Sequence, residues 1–376
     1  MTNKDALMKI ICSKEPLLKA LSIAENVISN KNTLSVQSNV LLTAENGMLN
    51  IKATETTLKF VADVPVEVIE PGSVAVFCSN LFVLIRKFND TEIEISSDEN
   101  NIVIVKQKNK RNSEYKHRGI NGKDFPVVEI PEGMNFFSVP IKIISEMIRK
   151  TIFSVATDTS SKPISGVLFE KKGNTIKMVA TDVRRFAFIK KDVELEGVED
   201  CCVIVPTKVL NEILKLSGED GDVQIALNTQ NLCIKMGSYL FISNLLEGSF
   251  PAYEKIIPTE FVGSVVLDRK LFLEIIDRVA VMGDKVVSKV VLSFMANRLA
   301  VYTENQAIGS GQEEMDIEYN GPDMDIGVRI KHLMDVLNVT TTPNVVMYFK
   351  DPGRPITVKQ ENDLDFIYIM APISVN

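Results

Sequence analysis

The sequence predicts an α+β protein of three similar domains in tandem, each with two helices on one side of β-sheets. Three observations predict it. A chain of 376 residues exceeds the length at which a single hydrophobic core usually keeps growing. A hairpin pattern recurs three times at a nearly constant interval. Each recurrence is flanked by two stretches whose apolar residues keep the spacing of a helix.

The hairpins begin at Ser38 (SNVLLTAENGMLNIKATE), Ser165 (SGVLFEKKGNTIKMVATD) and Ser288 (SKVVLSFMANRLAVYTE), 127 and 123 residues apart. Each has an apolar, β-branched run, a turn with Gly or Asn, a second alternating run, and then a threonine followed by an acid. The pairs are Thr54-Glu55, Thr181-Asp182 and Thr303-Glu304, and their acids are expected to cap turns.

Upstream of each hairpin lies a first helix. Its buried stripe is expected to be Leu17, Ala20, Leu21 and Ala24; then Ile144, Met147, Ile148, Thr151 and Ile152; then Phe272, Ile275, Ile276, Val279 and Ala280. A second helix follows, with Leu81, Leu84, Ile85 and Phe88; Leu210, Ile213 and Leu214; and Ile330, Leu333, Met334 and Leu337. A turn ending in proline also recurs, at Phe125-Pro126, Phe250-Pro251 and Ala371-Pro372. The expected domains are therefore 1–133, 134–257 and 258–376. Two such chains meeting end to end would place six units in a ring with no free interface.

Composition restricts the function. Hydrophobic residues make up 45% and charged residues 24%, ordinary for a folded chain. No apolar run is long enough to span a bilayer and the N-terminus does not read as a signal peptide, so a cytoplasmic protein without membrane contact is expected. The five cysteines show no C-x-x-C spacing and read as buried, reduced thiols. The net charge is −7, yet the helical segments together carry +7, leaving −14 for the rest. Basic helices on an acidic body suit a surface that meets duplex DNA through phosphates without reading bases. The candidate DNA-facing residues are Lys31, Arg86, Lys142, Arg149, Lys150, Lys208, Lys215, Arg278 and Lys331. The same charges would also suit plainly solvated helix faces.

No arrangement for catalysis or metal binding is visible, and no cofactor is expected. The two histidines, His117 and His332, lie in no nucleophile or metal-ligand motif. Gly119–Lys123 resembles a phosphate loop only superficially, because Asp124 stands where Ser or Thr is needed.

Several strings, in order, resemble the bacterial DNA polymerase sliding clamp, the β subunit, over essentially the full length. They are Ala180-Thr181-Asp182-Val183-Arg184-Arg185-Phe186-Ala187, Val203-Ile204-Val205-Pro206, Glu247-Gly248-Ser249-Phe250-Pro251-Ala252-Tyr253, and Asp325-Ile326-Gly327 leading into Asp335-Val336-Leu337-Asn338. The resemblance implies a non-catalytic homodimeric ring around DNA, loaded by a clamp loader, that tethers the replicative polymerase and other partners through a short peptide motif. The implied peptide site comprises Ile164, Gly166, Thr181, Arg185, Phe186, Pro251, Lys255, Ile256, Ile369, Ala371, Pro372 and Ile373, with Tyr319 nearby. The implied dimer interface sets Tyr115 and His117 against Val281 and Met282. The chain departs from the family where its tail carries Ala371 in place of a common methionine, which removes flexible apolar volume. Two rivals remain: a monomeric peptide-binding scaffold of the same fold, and a hydrolase using isolated carboxylates.

Overall fold

Among the described residues a strand runs six times directly into an α-helix with no loop between them. Met8–Ser13 leads into α1 (Lys14–Val27), Gly72–Phe77 into α2 (Cys78–Lys87), and Phe137–Pro140 into α3 (Ile141–Arg149). Cys201–Pro206 leads into α4 (Thr207–Leu216), Gly263–Asp268 into α5 (Arg269–Ala280), and Met324–Arg329 into α6 (Ile330–Val339). The threefold repeat of the sequence is therefore a sixfold repeat of structure, two strand-to-helix units per third of the chain. The computed structural model describes residues 8–28, 35–110, 113–158, 162–195, 197–218, 221–283 and 288–375.

The three hairpins form where expected: Asn39–Glu45 with Met48–Thr54, Gly166–Lys172 with Thr175–Thr181, and Lys289–Met295 with Arg298–Asn305. The first turns through Asn46 and Gly47 at φ 51° and 77°, the left-handed pair that matches strand twist. The threonine–acid pairs diverge. Asp182 does cap its turn, accepting from the backbone N–H of Arg184 at 3.0 Å and of Arg185 at 2.9 Å. Glu304 does not, because its strand runs on to Asn305, whose side chain takes the capping bond from Ala307 N–H at 2.9 Å.

The α1 stripe is buried as expected at Leu17, Ala20, Leu21 and Ala24, and the α5 stripe at Phe272, Ile275, Ile276 and Val279. The α3 stripe is buried as expected at Ile144, Met147, Ile148 and Thr151, but the helix itself ends at Arg149. Thr151 lies beyond the helix: its N–H bonds the carbonyl of Ile148 at 3.1 Å and its hydroxyl donates to that of Met147 at 2.8 Å, closing the helix in a tighter turn.

The chain divides into two compact units, Met1–Ile141 with Asn211–Leu245, and Lys142–Leu210 with Leu246–Asn376. In the first unit a 13-stranded antiparallel sheet runs through both parts. Its central seam pairs Tyr239–Asn244 with Leu58–Pro65, where Phe241 lies opposite Phe60 with ring centroids 5.2 Å apart. Helices α1 and α2 pack on each other and on strands of this sheet. In the second unit an eight-stranded sheet has its own seam, Arg185–Asp192 against Phe366–Met370, and a four-stranded sheet ends on Gly309–Asp316. There α5 packs on α6 and over Gly309–Asp316.

Of the cysteines, Cys12, Cys78 and Cys233 are buried as expected, while Cys202 is exposed. Among the described residues no helix is long and apolar enough to cross a membrane.

Candidate functional site

All the residues of the implied peptide site fall in the second unit. Two of them, Phe186 and Ile369, belong to an apolar cluster with Leu168, Val179, Phe188, Ile204 and Tyr253, against which Leu246, Phe250 and Ile257 pack. The seam brings two of them together: Phe186 pairs with Ile369, and Arg185 with Met370. Tyr253 fixes the cluster from the side. Its ring lies 6.3 Å from Phe186 and 6.0 Å from Phe188, and its hydroxyl donates to Glu170 at 3.0 Å. Burial and the Glu170 hydrogen bond push that hydroxyl well above the usual phenol range.

These residues do not all line an open cleft. Phe186 is 2% exposed, and Ile164 and Ile369 are also buried, so all three lie beneath the surface. Pro251, Lys255 and Ile256 are exposed, and Ala371, Pro372 and Ile373 are partly exposed, so these remain open to contact. Gly166 is wedged under Leu246: a Cβ there would meet Leu246 Cδ1 and Val205 O at 2.7 Å. The missing side chain is what lets these residues pack so closely. The Thr181 hydroxyl is spent on its own turn, donating to Arg185 O at 2.7 Å and accepting from Val183 N–H at 3.1 Å. Tyr319 corrects the expectation outright. Its ring is buried against Phe294 and Phe349 and its hydroxyl donates to Pro322 O at 2.7 Å, so it faces the domain core.

Arg185 is buried and held from two sides, by Asp182 at 2.9 Å and by Asp335 of α6 at 2.5 Å. It thus ties the turn to α6. The tail beyond it is pinned. Ala371 N–H donates to Arg184 O and Ile373 N–H to Gly327 O, both at 2.8 Å, and Lys289 donates to the carbonyls of Ser374 and Val375 at 3.2 and 2.7 Å. Gly327 is glycine for this reason, since a Cβ would sit 2.5 Å from Ile373 O.

Sequence reasoning missed the apex of the turn. Val183 adopts φ 73° and is 81% exposed, a β-branched residue in a region that L side chains rarely enter. The capping pair Thr181-Asp182 announced a turn, but nothing local announces a left-handed valine.

The candidate interface residues lie at the surface of their units. Tyr115 is 41% exposed, its ring 5.4 Å from Phe88, on the strand Tyr115–Asn121. His117 is half-buried, with Nε2 making no hydrogen bond, and burial lowers its pKa. Val281 is 75% exposed, and Met282 lies against Gly311, where a Cβ would meet its Cγ at 3.0 Å.

The candidate DNA-facing residues divide. Arg86, Lys142, Arg149, Lys215 and Lys331 are exposed and Lys208 is partly so, but Lys215 is paired with Glu212 at 2.6 Å and Lys331 with Asp335 at 2.8 Å. Arg278 is exposed but held by Glu313 through two bonds of 2.8 and 2.7 Å, which neutralises it. Lys150 is corrected: it is 1% exposed, paired with Glu146 at 2.6 Å and Asp363 at 3.5 Å, and set 5.3 Å over the Phe366 ring. Beyond the end of α3 its stem turns inward to these partners and cannot meet a phosphate. Lys31 lies outside the described residues.

Three family models match in order: the N-terminal domain of the DNA polymerase III beta subunit over residues 8–129, the central domain over 138–252, and the C-terminal domain over 254–374. The beta sliding clamp of Treponema pallidum is 32% identical over 97% of this chain and 99% of its own length. That of Pseudomonas aeruginosa is 30% identical over 97% of this chain and all of its own. Among solved structures, the P. aeruginosa sliding clamp bound to griselimycin superposes with a TM-score of 0.91 at 29% identity, over 98% of this chain and all of that one. With all three domains matched in order and nearly the whole length shared with curated clamps, the chain belongs to the DNA polymerase III beta subunit family, the bacterial beta sliding clamps.

Proposed function

We propose that the protein is the processivity clamp of a bacterial replicative DNA polymerase, a non-catalytic ring that encircles duplex DNA and holds the polymerase to it. The observation that carries this is the presence of all three clamp domains in order from residue 8 to residue 374, which gives one chain everything that half of a six-domain ring needs. The domains are 1–133, 134–257 and 258–376. The ring is a homodimer in the cytoplasm, opened and closed on DNA by a clamp loader.

Two strand edges support the dimer. Residues Tyr115–Arg118 are paired on one side only, and Gly309–Asp316 lies at the end of its sheet. Open edges of this kind add to one another readily, and Tyr115, His117, Val281 and Met282 flank them with apolar surface. DNA is held loosely by Arg86, Lys142, Arg149 and Lys208 through phosphates, which suits a surface that must slide.

Partners lodge a short peptide against Pro251, Ile256 and the pinned tail, above the floor of Ile164, Phe186 and Ile369. One apolar anchor buried there contributes roughly 1.5–3 kcal/mol. The test is binding of a fluorescent glutamine–leucine–aromatic peptide, together with polymerase stimulation on primed circular DNA. Removing residues 372–376 should abolish both while leaving the dimer and its retention on closed circles intact. A truncated chain that binds the peptide with unchanged affinity refutes this site.

A further inference from the structure

A cavity of about 410 Å³ lies in the second unit, where the linker from Lys255 to Phe261 faces the turn that carries Lys350, Asp351, Arg354 and Pro355. It shares only Lys255 and Ile256 with the peptide site proposed above. One wall is apolar: Ile257 packs into the cluster of Phe186 and Ile369, and Phe261 meets the Tyr348 ring at 4.8 Å. The rim is charged. Lys350 faces Glu260 at 3.5 Å and Arg354 faces Asp351 at 3.9 Å, both pairs solvent-facing, while Lys255 makes no ion pair among the described residues. The rim thus carries three cations against two carboxylates, beside an apolar wall continuous with the floor of the peptide site.

We infer that this cavity extends the peptide groove and takes an acidic residue flanking the partner's apolar anchor. The inference rests on the peptide-site reading. An aspartate or glutamate side chain would complete the charge balance at Lys255, and its own stem would lie on Ile257 and Phe261. Lys350 and Arg354, loosely paired and exposed, add attraction at longer range, which salt screens. A neutral residue leaves Lys255 unanswered and a basic one meets like charge, so the cavity selects by sign. The apolar wall favours a peptide over a bare phosphate, which would leave that wall uncovered.

The experiment measures fluorescence anisotropy with the intact protein and three peptides: the glutamine–leucine–aromatic core, the core flanked by aspartates, and the core flanked by serines. The aspartate peptide should bind about fivefold more tightly than the serine peptide at low salt, the upper range for solvent-facing ion pairs. That advantage should fall towards unity at high salt and in the double variant Lys350→Glu, Arg354→Glu, with affinity for the bare core unchanged. Equal binding of the aspartate and serine peptides, or an advantage that survives the double variant, overturns the inference and leaves the groove standing. Failure of the bare core to bind overturns the groove and the cavity's role with it.

Discussion

Replacing Val183 with glycine should stabilise the second unit, although it removes a side chain. The turn between Thr175–Thr181 and Arg185–Asp192 is held by Thr181 and Asp182, and no bond in it uses the Val183 side chain. At 81% exposure the isopropyl group buries little apolar area that could be lost. A non-glycine residue at φ 73° costs about 1–3 kcal/mol, with β-branching towards the upper end. Glycine relieves that strain but adds roughly 0.5–1 kcal/mol of unfolded-chain entropy. The difference is a gain of about 1 kcal/mol, or about 2–4 °C in a transition of this size. Urea and thermal unfolding followed by circular dichroism read it directly, with Val183→Ala as a control that keeps most of the strain. A lower midpoint for Val183→Gly at unchanged urea dependence would show that the turn is not strained and that the side chain supports it.

Other consequences can be checked in parallel. Burial pushes the His332 imidazole from 6.5 down to about 4, so the folded state favours the neutral ring. Its contribution is complete above pH 6.5 and is lost as pH falls towards 4, and His332→Leu should flatten the pH dependence of the unfolding midpoint across that window. Lys150→Met removes one partner of a buried ion pair and should destabilise by about 2–4 kcal/mol while leaving DNA binding unchanged; Arg149→Glu should do the reverse, as measured on short duplexes at low salt. Gly327→Ala drives a methyl group against Ile373 O and should weaken the binding of the core peptide about tenfold, with faster proteolysis of the tail. Met282→Asp places an unpaired charge in the proposed apolar contact and should yield monomers in sedimentation, where a persisting dimer would relocate the interface.

What the sequence disclosed was local. The hairpins were legible because a period of two, a two-residue turn and a repeat all act over a dozen residues, and α1 and α5 because their stripes keep helical spacing, only Ala280 of those named being less than buried. The sixfold repeat was not, since the six strand-to-helix junctions share geometry without sharing a string of residues. Lys150 was misplaced because its inward turn is set by Asp363 and Phe366, over two hundred residues away, and no helical wheel contains them. Tyr319 was misread in the same way: Phe294 and Phe349, which enclose it, come from separate strands. At the candidate site the resemblance named Ile164, Phe186 and Ile369, but how deeply they lie depends on how Tyr253 and Leu246 pack in the fold. The cavity beside them arises from two loops with no motif in either.

The seam between Tyr239–Asn244 and Leu58–Pro65 crosses from one sequence repeat into the next, and so does the seam between Arg185–Asp192 and Phe366–Met370. A fragment cut at either repeat boundary would carry away one strand of a pair. Excision after residue 133 would leave Leu58–Pro65 with a bare edge and Phe60 without the aromatic neighbours Tyr239 and Phe241. Such an edge is a template for aggregation. The unit that repeats in the gene is therefore not the unit that stays soluble, and substitutions that suit one repeat are accepted or rejected by the strand of its neighbour.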